Sequence, residues 1–232
     1  MIGNVFKIYL PIIALIFISF YVTNKFIKPS PKKELIIAAG SKNGTYYQTA
    51  LEYKTLLEKD KVHVTVLETN GSIHNTKLLQ EGKADIGFVQ SGTLSEESKQ
   101  NIQSLTSVYY EPLWIFYRNE GFQINYIIEL IGKKISMGAQ GSGTFDLSSK
   151  ILKDNGINET NSTFFHYSTT QAKESLLKGD IDVLLTVISP KSSIVQELLE
   201  DPKINVLSIK RAKAYSRKYS YLTTLKLYEG TM

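Results

Sequence analysis

ELIIAAGSKNGTYY at residues 34–47 returns in altered form as KISMGAQGSGTF at residues 134–145, and this pair of segments decides the fold. In each copy an apolar, strand-like run passes through glycines into a Gly-Thr-aromatic triplet that opens a helix-like segment. The likeness continues downstream, where a Leu-Leu pair, a glycine and an aspartate recur in the same order at offsets of 97 to 99 residues. A repeat this long is too large for one unit of a solenoid, so it predicts two similar lobes with a cleft between them.

Strand-like and helix-like segments alternate from residue 34 onward, which predicts an α/β fold of two βαβ lobes with mainly parallel sheets around the cleft. We expect the first lobe at residues 34–117 and the second at residues 118–232. The apolar run Leu105–Arg118, broken by Glu111-Pro112, is a candidate for a hinge strand that crosses between the lobes. The predicted strands cover residues 34–39, 62–67, 84–90, 105–117, 134–138, 163–167, 181–187 and 204–209, and the predicted helices cover 45–59, 73–81, 124–131, 144–155, 170–178 and 190–199.

The formal charge of +5 comes from residues 1–33, which hold five lysines and no acidic side chain. The remainder of the chain balances 22 basic against 22 acidic side chains. A protein that binds nucleic acid by neutralising phosphates needs a basic surface of its own, so this balance argues against a nucleic-acid partner. The sequence has no cysteine, which excludes thiol catalysis, disulfides and thiolate metal sites.

An uncharged and mostly apolar run covers residues 8–24, close to the shortest length that spans a bilayer. No small-x-small cleavage pattern and no lipid-accepting cysteine follows it. We therefore interpret residues 1–33 as an N-terminal transmembrane anchor with a short linker at Pro29 and Pro31, and a cleaved signal segment remains the alternative. Four lysines follow the run, so the positive-inside tendency would keep the rest of the chain in the cytoplasm.

Glycines and small polar residues collect where predicted strands lead into predicted helices, at Gly44-Thr45, 70–72, 91–93 and 141–144. In open parallel sheets, ligands bind beyond the carboxyl ends of the strands. Glycine lets the backbone approach a ligand closely, while free N–H groups and the positive end of the helix dipole favour an anion. Ordinary helix capping explains any one of these junctions equally well, but their recurrence in both copies favours a shared anion-binding pocket.

The residues offer little for catalysis. The three histidines are scattered without metal-ligand spacing, neither glycine loop has the ending of a P-loop, and no complete dinucleotide fingerprint is present. Asp85 and Asp182 come directly before strand residues in both copies, where we expect them to hydrogen-bond the backbone. We therefore expect no enzyme activity, no metal and no cofactor, although an enzyme built on the same fold stays an alternative.

An ordered series of motifs resembles the TAXI-type solute-binding subunits of tripartite ATP-independent periplasmic (TRAP) transporters, which have the type II periplasmic-binding fold. The motifs are Gly44-Thr45-Tyr46-Tyr47, Gly71-Ser72 with Asn75, Val89-Gln90-Ser91, Glu111-Pro112, Gly141-Ser142-Gly143-Thr144 and Gly179-Asp180-Ile181-Asp182. The resemblance implies a periplasmic protein that closes on a small organic acid or amino acid and presents it to a TRAP-type permease. It conflicts with the lysine distribution, and it also implies a final return to the first lobe, which a sequence ending at residues 229–232 is expected to lack.

Under this resemblance, backbone N–H groups would hold the ligand carboxylate and Tyr46 would pack against its carbon skeleton. Gly92 departs from the family, in which aspartate usually follows Gln-Ser. A membrane-tethered ligand sensor or scaffold that uses the same domain without transport is the alternative function. The expected ligand contacts are Gly44, Thr45, Tyr46, Asn70, Ser72, Gln90 and Ser91 in the first lobe and Ser142, Gly143, Thr144 and Thr186 in the second.

Overall fold

The computed structural model describes residues 2–26, 33–119, 121 and 123–228, and the chain divides into two compact units between Lys33 and Glu34. The first unit holds one helix, α1 (Ile2–Phe26), with Pro11 inside it. Among the described residues, no helix has both the length and the apolar character needed to cross a membrane, so the anchor predicted over residues 8–24 is not supported. The predicted linker prolines and residues 229–232 lie outside the described part of the chain.

From Glu34 onward, strands and helices alternate largely as predicted. The predicted helix at 124–131 is only a short 3-10 helix, and α4 and α8 had not been predicted. The elements are β1 (Glu34–Ala38), α2 (Thr45–Lys59), β2 (His63–Leu67), α3 (Ser72–Gln80), β3 (Ile86–Gly87), α4 (Glu96–Asn101), β4 (Leu113–Arg118), the 3-10 helix (Ile127–Leu130), β5 (Lys134–Ser136), α5 (Gly143–Asp154), β6 (Thr163–Phe165), α6 (Thr169–Lys178), β7 (Val183–Val187), α7 (Ser193–Glu200), β8 (Ile204–Val206) and α8 (Ala212–Lys218).

The repeat in the sequence corresponds to a repeat in the order of the strands. The described strands form two sheets, one with the order β2-β1-β3 and one with the order β6-β5-β7-β4-β8. All pairs within β2-β1-β3 and within β6-β5-β7 are parallel, so the second triplet repeats the first. The compact unit that starts at Glu34 contains both sheets, and the lobe boundary near residue 117 stays a prediction.

The second sheet is mixed rather than wholly parallel, because β4 runs antiparallel to both β7 and β8. No helix of the second copy precedes β4, so no βαβ crossover constrains its direction.

The hinge strand predicted over residues 105–117 is wrong in its first part, since only Leu113–Arg118 is a strand. Pro112 has no N–H group to donate to a ladder, which explains why the strand begins after it.

Each copy uses its aspartate in the same way. The Asp85 carboxylate accepts a hydrogen bond from the Ile36 N–H at 2.9 Å, and the Asp85 N–H donates to the Ile36 carbonyl at 2.9 Å. In the second copy the Asp182 carboxylate accepts from the Lys134 N–H at 2.8 Å, and the Asp182 N–H donates to the Lys134 carbonyl at 2.9 Å. Both aspartates therefore bond the first strand of their copy, in agreement with the predicted backbone role.

Strand β4 carries the core of the second sheet on both of its faces. Trp114 and Phe116 belong to one buried cluster with side chains of α6 and α7, whereas Ile115 and Tyr117 belong to another with side chains of α5. Successive side chains of a strand point to opposite faces, so an unbroken apolar run fits a strand that is covered on both sides. Full burial of one Ile or Phe side chain stabilises a fold by roughly 1.5 to 3 kcal/mol.

Candidate functional site

The two copies contact each other where α3 and α5 begin. The N–H groups of Ile73 and His74, in the first turn of α3, donate hydrogen bonds to the Gly141 carbonyl at 3.1 and 3.3 Å. The first N–H groups of a helix lack partners within the helix and carry partial positive charge, so they favour an anion or another electron-rich acceptor. In this structure a backbone carbonyl of the second copy occupies these donors.

The loop before α3 approaches the second copy closely. A Cβ atom added at Gly71 would lie 3.5 Å from Ser142 Cα, and the φ of +108° at Gly71 is accessible mainly to glycine. A Cβ atom added at Gly143 would lie 2.3 Å from Gln90 Oε1. The two glycines thus allow the junctions to come together.

Ser72 links the two first-copy segments at this contact. Its side chain is 1% exposed, and its hydroxyl accepts a hydrogen bond from the Gln90 N–H at 2.9 Å. Gln90 follows β3, so the hydroxyl fixes the chain after β3 against the start of α3. Ser72 therefore holds the site together through an internal bond.

The hydroxyl groups predicted for the second copy are also used internally. Ser142 caps α5, since its hydroxyl accepts from the Phe145 N–H at 3.0 Å and donates to the Ala139 carbonyl at 2.6 Å. The Thr144 hydroxyl accepts from the Val187 N–H at 3.0 Å. Thr186 is fully buried in β7. Capping and sheet bonding thus account for these side chains in this structure.

The predicted residues do not all lie at this contact. Five of them surround it, whereas Gly44 has only atoms of Ser41 near its Cβ position, Thr45 opens α2 and Ser91 is exposed. The Gly-Thr junction of α5 therefore faces the α3 junction at Gly71, and the assignment of the eleven residues to a ligand site stays a prediction. The five residues at the contact are Asn70, Ser72, Gln90, Ser142 and Gly143.

Tyr46 contacts an acidic residue, Glu111, that was not among the predicted ligand contacts. Its hydroxyl donates a hydrogen bond to Glu111 Oε2 at 2.5 Å. Its ring stacks on Phe88 with centroids 5.5 Å apart, and the Tyr109 ring lies 6.3 Å away at a tilt of 40°. The signal in the sequence was a lone acid inside the apolar stretch 105–118.

The surroundings of Glu111 favour its neutral form in the absence of a ligand. Burial raises the pKa of Glu111 to about 7, although the hydrogen bond from Tyr46 acts in the opposite direction. Burial, and then the Glu111 charge, raise the pKa of Tyr46 well above its ordinary value. Among the described residues no lysine or arginine forms an ion pair with Glu111. Within the described part of the chain, the carboxyl group thus has no cationic partner.

The phenol group of Tyr109 is a second buried polar group in this region. Burial, followed by the charge of Glu111, raises the pKa of Tyr109. Its phenol oxygen is buried, and the described residues give it no hydrogen bond of ordinary geometry, although Thr49 is near enough to lower the pKa slightly. Most buried polar atoms in proteins are hydrogen-bonded, so such an atom calls for an explanation.

A second contact joins the copies beside α5. The Tyr221 ring lies against Gly92, where an added Cβ atom would be 2.4 Å from the ring. Lys150 donates to the Gly92 carbonyl at 3.3 Å and pairs with Asp146 at 2.5 Å. Glycine at position 92, instead of the aspartate usual in the resembled family, therefore leaves room for Tyr221.

A separate cavity of about 350 Å³ lies in the second copy. Tyr126, Asp154, Lys210 and Tyr215 are among its lining residues, and none of the predicted ligand contacts lines it. Among the described residues, no group of histidine and acidic side chains is arranged to hold a metal ion.

The fold is shared with solved binding proteins. An ancestral arginine-binding protein bound to arginine matches with a TM-score of 0.57 and 17% identity over 77% of this chain and 80% of that one. The periplasmic aliphatic sulphonate binding protein SsuA from Escherichia coli matches with a TM-score of 0.51 and 19% identity over 82% and 64%. The arginine-bound form of a truncated ArgBP from T. maritima matches with a TM-score of 0.54 and 15% identity over 75% and 81%.

All three are binding proteins rather than enzymes, and at these identities their likeness to this chain establishes the fold. The α/β periplasmic-binding fold expected from the sequence is thereby confirmed. The family model described as the NMT1-like family matches residues 37–228, most of the chain, and the protein therefore belongs to the NMT1-like family.

Proposed function

We propose that this protein captures a small organic anion, a carboxylate or sulfonate, in the periplasm and delivers it to a membrane transporter. The observation that carries the proposal is the α3 amino end, whose Ile73 and His74 N–H groups both point at one acceptor atom from the second copy. The similar arginine- and sulphonate-binding proteins support a ligand of this size. The protein performs no reaction, and its work is binding and release.

The ligand anion would replace the Gly141 carbonyl at the α3 donors. Hydrogen bonds to charged groups contribute about 1.5 to 3 kcal/mol each, against about 0.5 to 1.5 kcal/mol for neutral ones. For two donors the exchange of a carbonyl for an anion therefore favours the ligand by a few kcal/mol. Entry requires the Gly71 and Gly141 loops to separate, and release lets them meet again.

The partner we propose is a TRAP-type permease. The resemblance of the motif series to TAXI-type subunits supports this partner, whereas one of the similar structures is the substrate binding protein of an amino acid ABC transporter. Uptake of the bound compound that continues after ATP depletion, with the membrane gradient maintained, would support the TRAP assignment. A strict requirement for ATP would contradict it. A periplasm-specific reporter fused to the carboxyl end tests the location.

Ligand binding is tested by thermal unfolding of the full chain against amino acids, organic acids and alkanesulfonates. A ligand at 100 times its Kd stabilises a protein by about 2.7 kcal/mol, which raises the Tm of a chain of this size by roughly 5 to 10 °C. If a cooperatively folded protein shows no shift with any compound, the proposal fails.

The location of the site is tested by Asn70→Asp, with Asn119→Asp as the matched exposed control. Asn70 precedes α3 and its side chain adjoins Gly141. A new charge about 6 Å from the ligand anion, at an effective dielectric near 40, repels it by about 1.4 kcal/mol, or about tenfold in affinity. The same charge favours the helix amino end, so the free protein should not lose stability. Equal affinities of the two variants would contradict the assigned site.

A further inference from the structure

The residues around Glu111 can form a second ligand subsite beside the anion-binding donors of α3. Tyr46 hydrogen-bonds Glu111, and its ring stacks on Phe88, whose carbonyl accepts a hydrogen bond from Asn75 of α3 at 2.7 Å. One phenol group therefore connects the acidic group to the segment that packs beneath α3.

Aromatic rings cluster around Tyr46, the residue that hydrogen-bonds the acidic group. Tyr46 and Phe88 stack, and Tyr109 is tilted beside Tyr46. The faces of such rings attract cations, and the Glu111 carboxyl group adds a negative charge when it ionises beside one. Rings and carboxylate therefore favour the same kind of ligand group.

Among the described residues, Glu111 has no cationic partner. Burying a carboxylate is costly unless it is paired with a cation, and the hydrogen bond that Glu111 accepts comes from a neutral phenol. The side chain is only partly buried, so a ligand group can approach it. The phenol oxygen of Tyr109, to which no described residue gives a hydrogen bond of ordinary geometry, is a further polar group beside Tyr46.

We propose that Glu111, hydrogen-bonded to the ring cluster of Tyr46, Phe88 and Tyr109, binds a cationic group of the ligand, so that the protein selects compounds carrying both an anion and an ammonium group. This inference rests on the proposed function and narrows its ligand to amino acids and aminosulfonates. The α3 donors hold the anion and Glu111 holds the ammonium group. The hydrogen bond from Tyr46 orients the carboxylate.

The test compares the affinity of the full chain for compounds that differ only in the amino group, measured by isothermal titration calorimetry. The pairs are L-leucine with 4-methylpentanoate, L-glutamate with glutarate, and taurine with ethanesulfonate. A charge-assisted pair contributes enough to favour the amino compound by about tenfold or more. Glu111→Gln should remove that preference, because the amide carries no charge to pair with the ammonium group. Glu174→Gln, an exposed glutamate on α6, is the control and should keep the preference.

The outcomes separate the inference from the function beneath it. Equal binding of both members of a pair, or a preference that survives Glu111→Gln, overturns the cationic subsite and leaves anion capture in place. Binding of no member of any pair by a folded protein overturns both. If Glu111→Gln does not fold, equal binding of both members of a pair by the unmodified chain still overturns the inference. Tyr46→Phe, which removes the hydrogen bond that orients the carboxylate, then tests the location and should weaken the preference; an unchanged preference overturns it.

Discussion

Asn75 offers the sharpest test of how the first sheet builds its half of the site. Its fully buried side chain donates to the carbonyls of Ala39 and Phe88, the latter at 2.7 Å, and accepts from the Thr69 hydroxyl at 2.5 Å. Ala39 follows β1 and Phe88 follows β3, so one amide ties neighbouring strand ends beneath α3. Thr69 in turn accepts from the Gly71 N–H at 3.1 Å, which extends the network to the contact between the copies.

Replacing Asn75 by alanine removes three hydrogen bonds, which leaves two buried carbonyls without their donor and the Thr69 hydroxyl without its acceptor. At about 1 kcal/mol for each bond, the expected loss in the free energy of unfolding is about 3 kcal/mol. With an m-value of about 2 kcal/mol per M, the midpoint of urea unfolding should fall by about 1.5 M. Asn75→Asp keeps the shape but turns two donors into acceptors, so it should destabilise the protein at least as much.

The matched control is Asn119→Ala, an exposed asparagine whose side chain accepts one hydrogen bond, from the Gly121 N–H at 3.3 Å. We expect this control to change the free energy of unfolding by no more than about 0.5 kcal/mol. A loss below 1 kcal/mol for Asn75→Ala, or near wild-type stability for Asn75→Asp, would refute the hydrogen-bond argument. Packing alone would then explain why Asn75 is buried.

Three further predictions concern single side chains. Gly92→Ala should lower the free energy of unfolding in urea by about 1 to 3 kcal/mol more than Gly82→Ala. The new methyl group meets the Tyr221 ring at position 92, whereas it meets no atom at position 82. Equal losses for the two variants would contradict the contact with Tyr221. Glu111→Gln should leave the free energy of unfolding unchanged near pH 4 and raise it by up to about 3 kcal/mol at pH 8. The pKa of Glu111 in the folded protein is about 7, above the ordinary 4.5, so the stability that the protonated group contributes is lost as the pH rises through 7. A difference between variant and wild type that does not depend on pH would contradict the raised pKa. Asp182→Ala should cost about 1 kcal/mol and Asp182→Asn much less, since an amide oxygen still accepts from the Lys134 N–H; equal costs for the two variants would exclude the backbone role.

The duplication and the roles of its aspartates were predictable because they depend on local order. A strand, a glycine turn and a helix are written in consecutive residues, and each aspartate bonds the strand that its own copy supplies. The short helix α8 gave no such signal, because none of its residues is buried and its sequence has no apolar face. Likewise, Pro112 was the only local signal that the strand starts at Leu113 rather than at Leu105.

Which junctions meet across the copies was beyond sequence reasoning. The contact of Ile73 and His74 with Gly141, and the bond of Tyr46 to Glu111, join residues more than 60 positions apart. Periodicity predicts which face of an element is buried but not how two sheets are placed against each other. The first copy presents its α3 junction to α5, and no local pattern distinguished that junction from the other glycine junctions of the first copy.

The α3 donors between the two copies are the proposed binding site for a small anion. A crystal structure of the full chain with the most stabilising compound of the thermal screen locates the ligand. We expect an anionic group about 3 Å from the Ile73 and His74 N–H groups, with the Gly141 carbonyl displaced. A ligand in the cavity beside Tyr126 and Lys210, or one bound while the Gly141 contact persists, would contradict it.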